Sequence, residues 1–179
     1  MISLTGVFWM IVFIFMLIGA TRGWAKELIV SFAVVLAVFV STVFEVFLPA
    51  IKASLQAGDG TGLFWVRTAL LIVLVFFGYQ TPNLPKFAAN NRFARDRLQD
   101  LLLGAFLGAI NGYLVFGSLW FFLADAKYPF DLVIAPVAGT AAGDAAIQLA
   151  AILPPVWMAP PVIYFAVAIA FIFVLVVFI

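Results

Sequence analysis

A few clusters of polar residues stand out against an otherwise apolar sequence. Arg22, Gly23, Lys26 and Glu27 lie within IGATRGWAKEL (18–28), between two apolar runs. Arg22 and Lys26 are one helical turn apart. That spacing suits binding of an anionic lipid headgroup or anchoring of a neighbouring basic loop; it also suits charge that simply marks one side of a membrane. Glu27 has Arg95 and Arg97 as candidate partners. Glu45 and Arg67 each sit near the boundary of an apolar run and suit an ion pair with each other. Asp100, Gly104, Gly108 and Gly112 recur at spacing four, with Asn111 beside them. On a helix these glycines form a smooth groove for a second helix, within the chain or in a partner. A buried Asn111 amide needs an interhelical hydrogen bond. Arg92, Arg95 and Arg97, in NNRFARDRLQD (90–100), make a basic surface helix that attracts anionic lipid at about 1 kcal/mol per charge.

The residues that are missing narrow the chemistry. The chain has no Cys and no His. This removes disulfides, thiolates, the commonest metal ligand and the usual haem axial ligand. Ser31, Ser41, Ser54 and Ser118 have no evident base beside them. No catalytic constellation, no metal site and no resident cofactor is expected. The exception is a lipid or isoprenoid tail held along an aromatic surface, for which the 21 Phe provide material. A net charge of +1 offers nucleic acid no basic face.

These residues must be positioned by helices in lipid. The chain has 179 residues, 67% hydrophobic and 9% charged, against about 25% charged in soluble domains. So few charges cannot coat a water-facing surface. The expected fold is all-α and polytopic, with transmembrane helices over Ile2–Ala20, Leu28–Leu48, Gly62–Gln80, Leu101–Leu123 and Val162–Ile179. The first run lacks a basic leader region and is read as a retained helix. TRGWAKE then becomes the short turn between the first two spans. Residues 1–124 form a four-helix core, 125–161 a Pro/Ala-rich extracytoplasmic segment, and 162–179 a fifth span. A short amphipathic helix over about 140–153 is expected to lie on or dip into the membrane surface, with a re-entrant element as the alternative.

Charge counting sets the orientation. Arg22, Lys26, Lys86, Arg92, Arg95 and Arg97 fall on one side; Lys52, Arg67 and Lys127 fall on the other. The first group belongs in the cytoplasm, which puts the N-terminus outside and the C-terminus inside. Away from the boundary residues Glu45 and Arg67, no ionisable residue is expected deep in the membrane, which disfavours a proton relay.

Two of these segments carry a family resemblance. Gly19, Arg22, Gly23, Lys26 and Glu27 resemble the Gly-x-x-Arg-Gly-x-x-(Arg/Lys)-Glu segment after the first span of the colicin V production protein family. Asp100, Gly104, Gly108 and Gly112 are similar to the Asp and spaced glycines of its fourth span. Where the family often has Arg after that Asp and before the last Gly, this chain has Leu101 and Asn111; Ser3 and Thr5 stand where it often has Asp. The resemblance spans about residues 3–124. It implies a bacterial inner-membrane protein linked to colicin V production or export, a toxin-biosynthesis role served as a non-enzymatic scaffold or secretion factor. Two other readings stand beside it. One is an accessory subunit of a respiratory or photosynthetic complex, holding lipid, quinone or pigment tails. The other is a small transporter or channel. Membrane lipids and either a membrane-protein partner or a second copy of the chain are the expected contacts.

Overall fold

A computed structural model describes residues 3–57, 61–80, 94–131 and 133–178. Among the described residues every regular element is helical: α1 (Leu4–Arg22), α2 (Trp24–Phe47), α3 (Pro49–Gln56), α4 (Thr61–Tyr79), α5 (Ala94–Asp125), α6 (Ala141–Ala150), α7 (Pro154–Trp157) and α8 (Val162–Phe178). The chain is an all-α membrane protein. Four helices (α1, α2, α4 and α5) are long and apolar enough to cross a bilayer. A fifth crossing exists if α6–α7 and α8, bent by 59°, count as one broken span.

Local chemistry sets the boundaries. Ser3 caps α1, its Oγ accepting from the Gly6 N–H at 3.1 Å. Gly23 stops α1 with a φ of 84°, a conformation that costs glycine little. Helix α2 begins at the very next residue. The turn between the first two spans is therefore one residue, not the whole TRGWAKE stretch, and Lys26 and Glu27 belong to the first turn of α2. Because Gly23 interrupts the helix, Arg22 and Lys26 do not share a continuous helical face. Leu48 closes α2, and Pro49 opens α3 at a first-turn position where its missing N–H is harmless. The span expected over Leu28–Leu48 thus ends where the sequence places its end, and α3 is an element beyond those expected.

Helix α5 is the hub. It has 32 residues, and the segment from Ala94 onward joins the fourth span without a break. Helix α1 packs along it, and α2 packs against α5, α4 and α8. The main core joins Val30, Val34 and Val38 of α2 to Leu71, Val75, Leu114, Phe122 and Ile163. A second core gathers Phe8, Trp120, Ala146, Leu149 and Leu153. The outer surface is the reverse of a soluble protein's. Phe47, Phe165 and Val176 are 72%, 68% and 77% exposed, whereas Glu27 and Asn111 are fully buried. Lipid, not water, is the solvent that tolerates this arrangement.

The Pro/Ala-rich segment is held against α5. Thr140 caps α6 by accepting from the Gly143 N–H at 3.1 Å, and Asp144 Oδ1 accepts from the Gly139 N–H at 2.9 Å. At its far end Pro154 sits on Gly117, where an added Cβ would lie 2.5 Å from the proline Cδ. Tyr113 donates its hydroxyl hydrogen to the Ile152 carbonyl, and Trp157 Nε1 donates to the Tyr113 oxygen at 3.0 Å. Gly117 lies about 12 Å along α5 from Asp125, at a rise of about 1.5 Å per residue. The expected helix over 140–153 is thus shorter, Ala141–Ala150, and the segment that follows it descends along α5.

Candidate functional site at the two ends of the bundle

The Asp100 end of the bundle is tied by a buried polar network. Glu27 is fully buried at the start of α2. Its Oε1 accepts from Arg22 Nε at 2.8 Å, and its Oε2 accepts from Asn111 Nδ2 at 2.8 Å. Asn111 Nδ2 also donates to the Glu27 carbonyl at 2.8 Å, while its Oδ1 accepts from Ser31 Oγ at 2.7 Å. Arg22 Nη1 donates to the Tyr79 carbonyl at 3.2 Å, and the guanidinium stacks 4.4 Å from the Tyr79 ring centroid. Helices α1, α2, α4 and α5 all contribute to one network. Burial makes the pairing of the Glu27 charge obligatory, because an unpaired charge away from water is costly; Arg22 Nη2 and the Tyr79 hydroxyl are buried at the edge of the network without a hydrogen-bond partner among the described residues.

Asp100 completes this end. Its Oδ1 accepts from the Trp24 N–H at 3.1 Å, so a residue of α5 caps α2. Gly23 makes the approach possible: a Cβ there would lie 2.7 Å from Asp100 Oδ2. Asp100→Ala is expected to cost about 1 kcal/mol, as loss of a helix cap does. Asp100→Asn, which keeps an acceptor, should cost less. Thermal unfolding of both variants in one mild detergent checks the order.

The glycine stripe faces α1. A Cβ on Gly19 would overlap the Gly104 carbonyl oxygen and lie 2.7 Å from Gly108 Cα. A Cβ on Gly108 would overlap the Phe15 carbonyl oxygen, and one on Gly112 would lie 2.8 Å from Val12 Cα. The groove is filled from within the chain.

The Asp125 end holds a second charged cluster. Arg67 is buried in α4, and its Nε and Nη2 both meet Glu45 Oε1 at 2.6 Å. Its Nη1 meets Asp125 Oδ2 at 2.6 Å. Lys52, on α3, meets Glu45 Oε2 at 2.8 Å. The Arg67 guanidinium also lies 5.4 Å from the Phe122 ring centroid.

The structure brings most of the sequence candidates together. Glu45 pairs with Arg67, and Asn111 makes the interhelical bonds expected of it. Glu27 takes Arg22 as its cation instead of Arg97. Arg97 is exposed on α5, Arg92 lies outside the described residues, and the Arg95 side chain lies outside them too. Glu27, in the first turn of α2, is fully buried by its neighbours although it stands near the end of its helix. Sequence reasoning missed Ser31, Tyr79, Lys52 and Asp125 as members of the networks. Ser31 had a signal: it is four residues from Glu27, on the same helical face.

Metal-binding groups of three or more acidic, Cys or His residues are absent among the described residues. No family model matches the chain. No curated protein and no solved structure matches it either.

Proposed function

We propose that the protein is a non-enzymatic, multi-pass protein of the bacterial inner membrane, of the colicin V production type. It acts as a scaffold in envelope maintenance or secretion. One observation supports this reading above the others. The two segments that resemble the family are far apart in sequence, yet they form a single junction. Gly19 lies on Gly104 and Gly108, Gly23 on Asp100, and the Trp24 N–H on the Asp100 carboxylate. The departure at Asn111 fits as well. Its amide donates to Glu27, so a neutral donor serves where the family often carries Arg. In this reading the Asp100 end, with Arg22, Lys26 and Arg97, faces the cytoplasm.

A complementation assay tests the reading. In a colicin V-producing host that lacks its own protein of this type, this chain is expected to restore toxin release, and the Gly108→Ile variant to fail. Absence of rescue by unsubstituted chain that is present in the inner membrane would count against the family role.

A further inference from the structure

A cleft of about 260 Å3 opens beside the charged cluster at the Asp125 end. Its polar lining comes from Ser41, Thr42, Glu45, Lys52 and Arg67. Val38, Phe121 and Pro155 are among its apolar walls. That space is many times the roughly 10–15 Å3 that one water needs, and it admits a group the size of a lipid headgroup.

Its chemistry is specific. Ser41 Oγ is buried and has no hydrogen-bond partner, although a buried hydroxyl normally finds one. Lys52 directs one N–H at Glu45, and an ammonium has three. Its side chain is 35% exposed, so the remaining donors can reach an entering acceptor. Arg67 is fixed between Glu45 and Asp125 and contributes a stationary positive charge. Two cations and two carboxylates make the cluster neutral overall. A simple anion would therefore gain no net attraction from the cluster. A zwitterion matches both signs at once.

We propose that this cleft holds the headgroup of a zwitterionic phospholipid bearing a primary ammonium. The phosphate accepts from Lys52 Nζ and Ser41 Oγ; the ammonium donates to the Glu45 carboxylate; the acyl chains leave along the apolar wall. A quaternary ammonium fits less well, because it has no N–H to give a carboxylate, and the guanidinium of Arg67 already lies near the Phe122 ring. The location agrees: Asp125 ends α5 and Glu45 lies in the last turn of α2, at the depth of headgroups. This proposal does not depend on the family reading.

Native mass spectrometry of the full chain tests it. The protein is released from mild detergent with equimolar dioleoyl phosphatidylethanolamine, phosphatidylcholine and phosphatidylglycerol. The ethanolamine lipid is expected to give an adduct about tenfold more abundant than either competitor, as charge-assisted hydrogen bonds confined to one headgroup imply. In Glu45→Gln, which takes away the charged acceptor of the ammonium, the preference should fall to parity. Equal adducts of the three lipids on the unsubstituted protein would overturn the proposal. So would a dominant glycerol lipid, or a preference that survives the substitution. The unsubstituted protein decides the matter on its own if the variant fails to fold.

Discussion

Glu27→Gln is expected to destabilise the bundle by about 3–5 kcal/mol, the range for breaking a buried ion pair from one side. The substitution preserves shape, so the effect isolates charge and donor pattern. Both partners of the Glu27 carboxylate are donors: Arg22 Nε at one oxygen and Asn111 Nδ2 at the other. A glutamine offers one acceptor and one NH2. Whichever way the amide turns, one donor faces another donor, and the Arg22 charge loses its counter-ion. Arg22 is 23% exposed and keeps the Tyr79 carbonyl, which moves the expected cost toward the lower end. Replacing both charges, as Arg22→Met/Glu27→Leu, should cost less than the sum of the two single changes. Reversible unfolding in mixed micelles measures all three variants. A Glu27→Gln protein as stable as the unsubstituted one would mean that the carboxylate is not the keystone of this end.

Gly108→Ile should be comparably severe. An overpacked site costs about 1–3 kcal/mol and occasionally more, and relief usually comes from a side chain that moves. At Gly108 the neighbours are backbone: the Phe15 carbonyl oxygen and, at 2.9 Å from an added Cβ, Gly19 Cα. Nothing there can rotate away. The two helices must separate, which opens the packing that replaces hydrophobic drive inside a membrane. Gly6→Ala is the matched control. Its added Cβ meets only Ser3 Oγ at 3.1 Å, a small side chain, and the change improves helix propensity by about 1 kcal/mol. Thermal unfolding in detergent should separate the two variants widely. Equal stability would show that α1 does not lean on this stripe.

The spans were legible because hydropathy over about 20 residues is a strong signal. The groove was legible because glycines at spacing four leave few other readings, though nothing in the stripe itself pointed to Gly19 as its counterpart. The Glu45–Arg67 pair was legible because two opposite charges at the same boundary have few alternatives. The partner of Glu27 was not, and the cause is Gly23. A single residue at φ 84° folds α2 back on α1 and swings the Arg22 side chain onto the first turn of the next helix. Helical-wheel spacing cannot anticipate a geometry that leaves the wheel. Lys52 was obscured in a different way. It reaches Glu45 from α3, a short helix of mixed polarity whose leading Pro49 reads as a stop signal and not as the start of another element. The resting place of the Pro/Ala-rich segment depends on Gly117, which has no marker to distinguish a seat for proline from ordinary packing.

The two charged networks also act as end stops. Glu27 and Glu45 stand on the same helix, about 27 Å apart at a rise of about 1.5 Å per residue, and each is clamped to neighbouring helices. The hydrocarbon slab of a typical bilayer is about 30 Å thick. Neither stop can slide to follow a thicker slab, so any mismatch must be met by thinning the bilayer or tilting the whole protein, at a fraction of a kcal/mol per Å. The bundle is therefore a gauge of fixed height, and it should be sorted away from the thickest regions of the membrane that carries it.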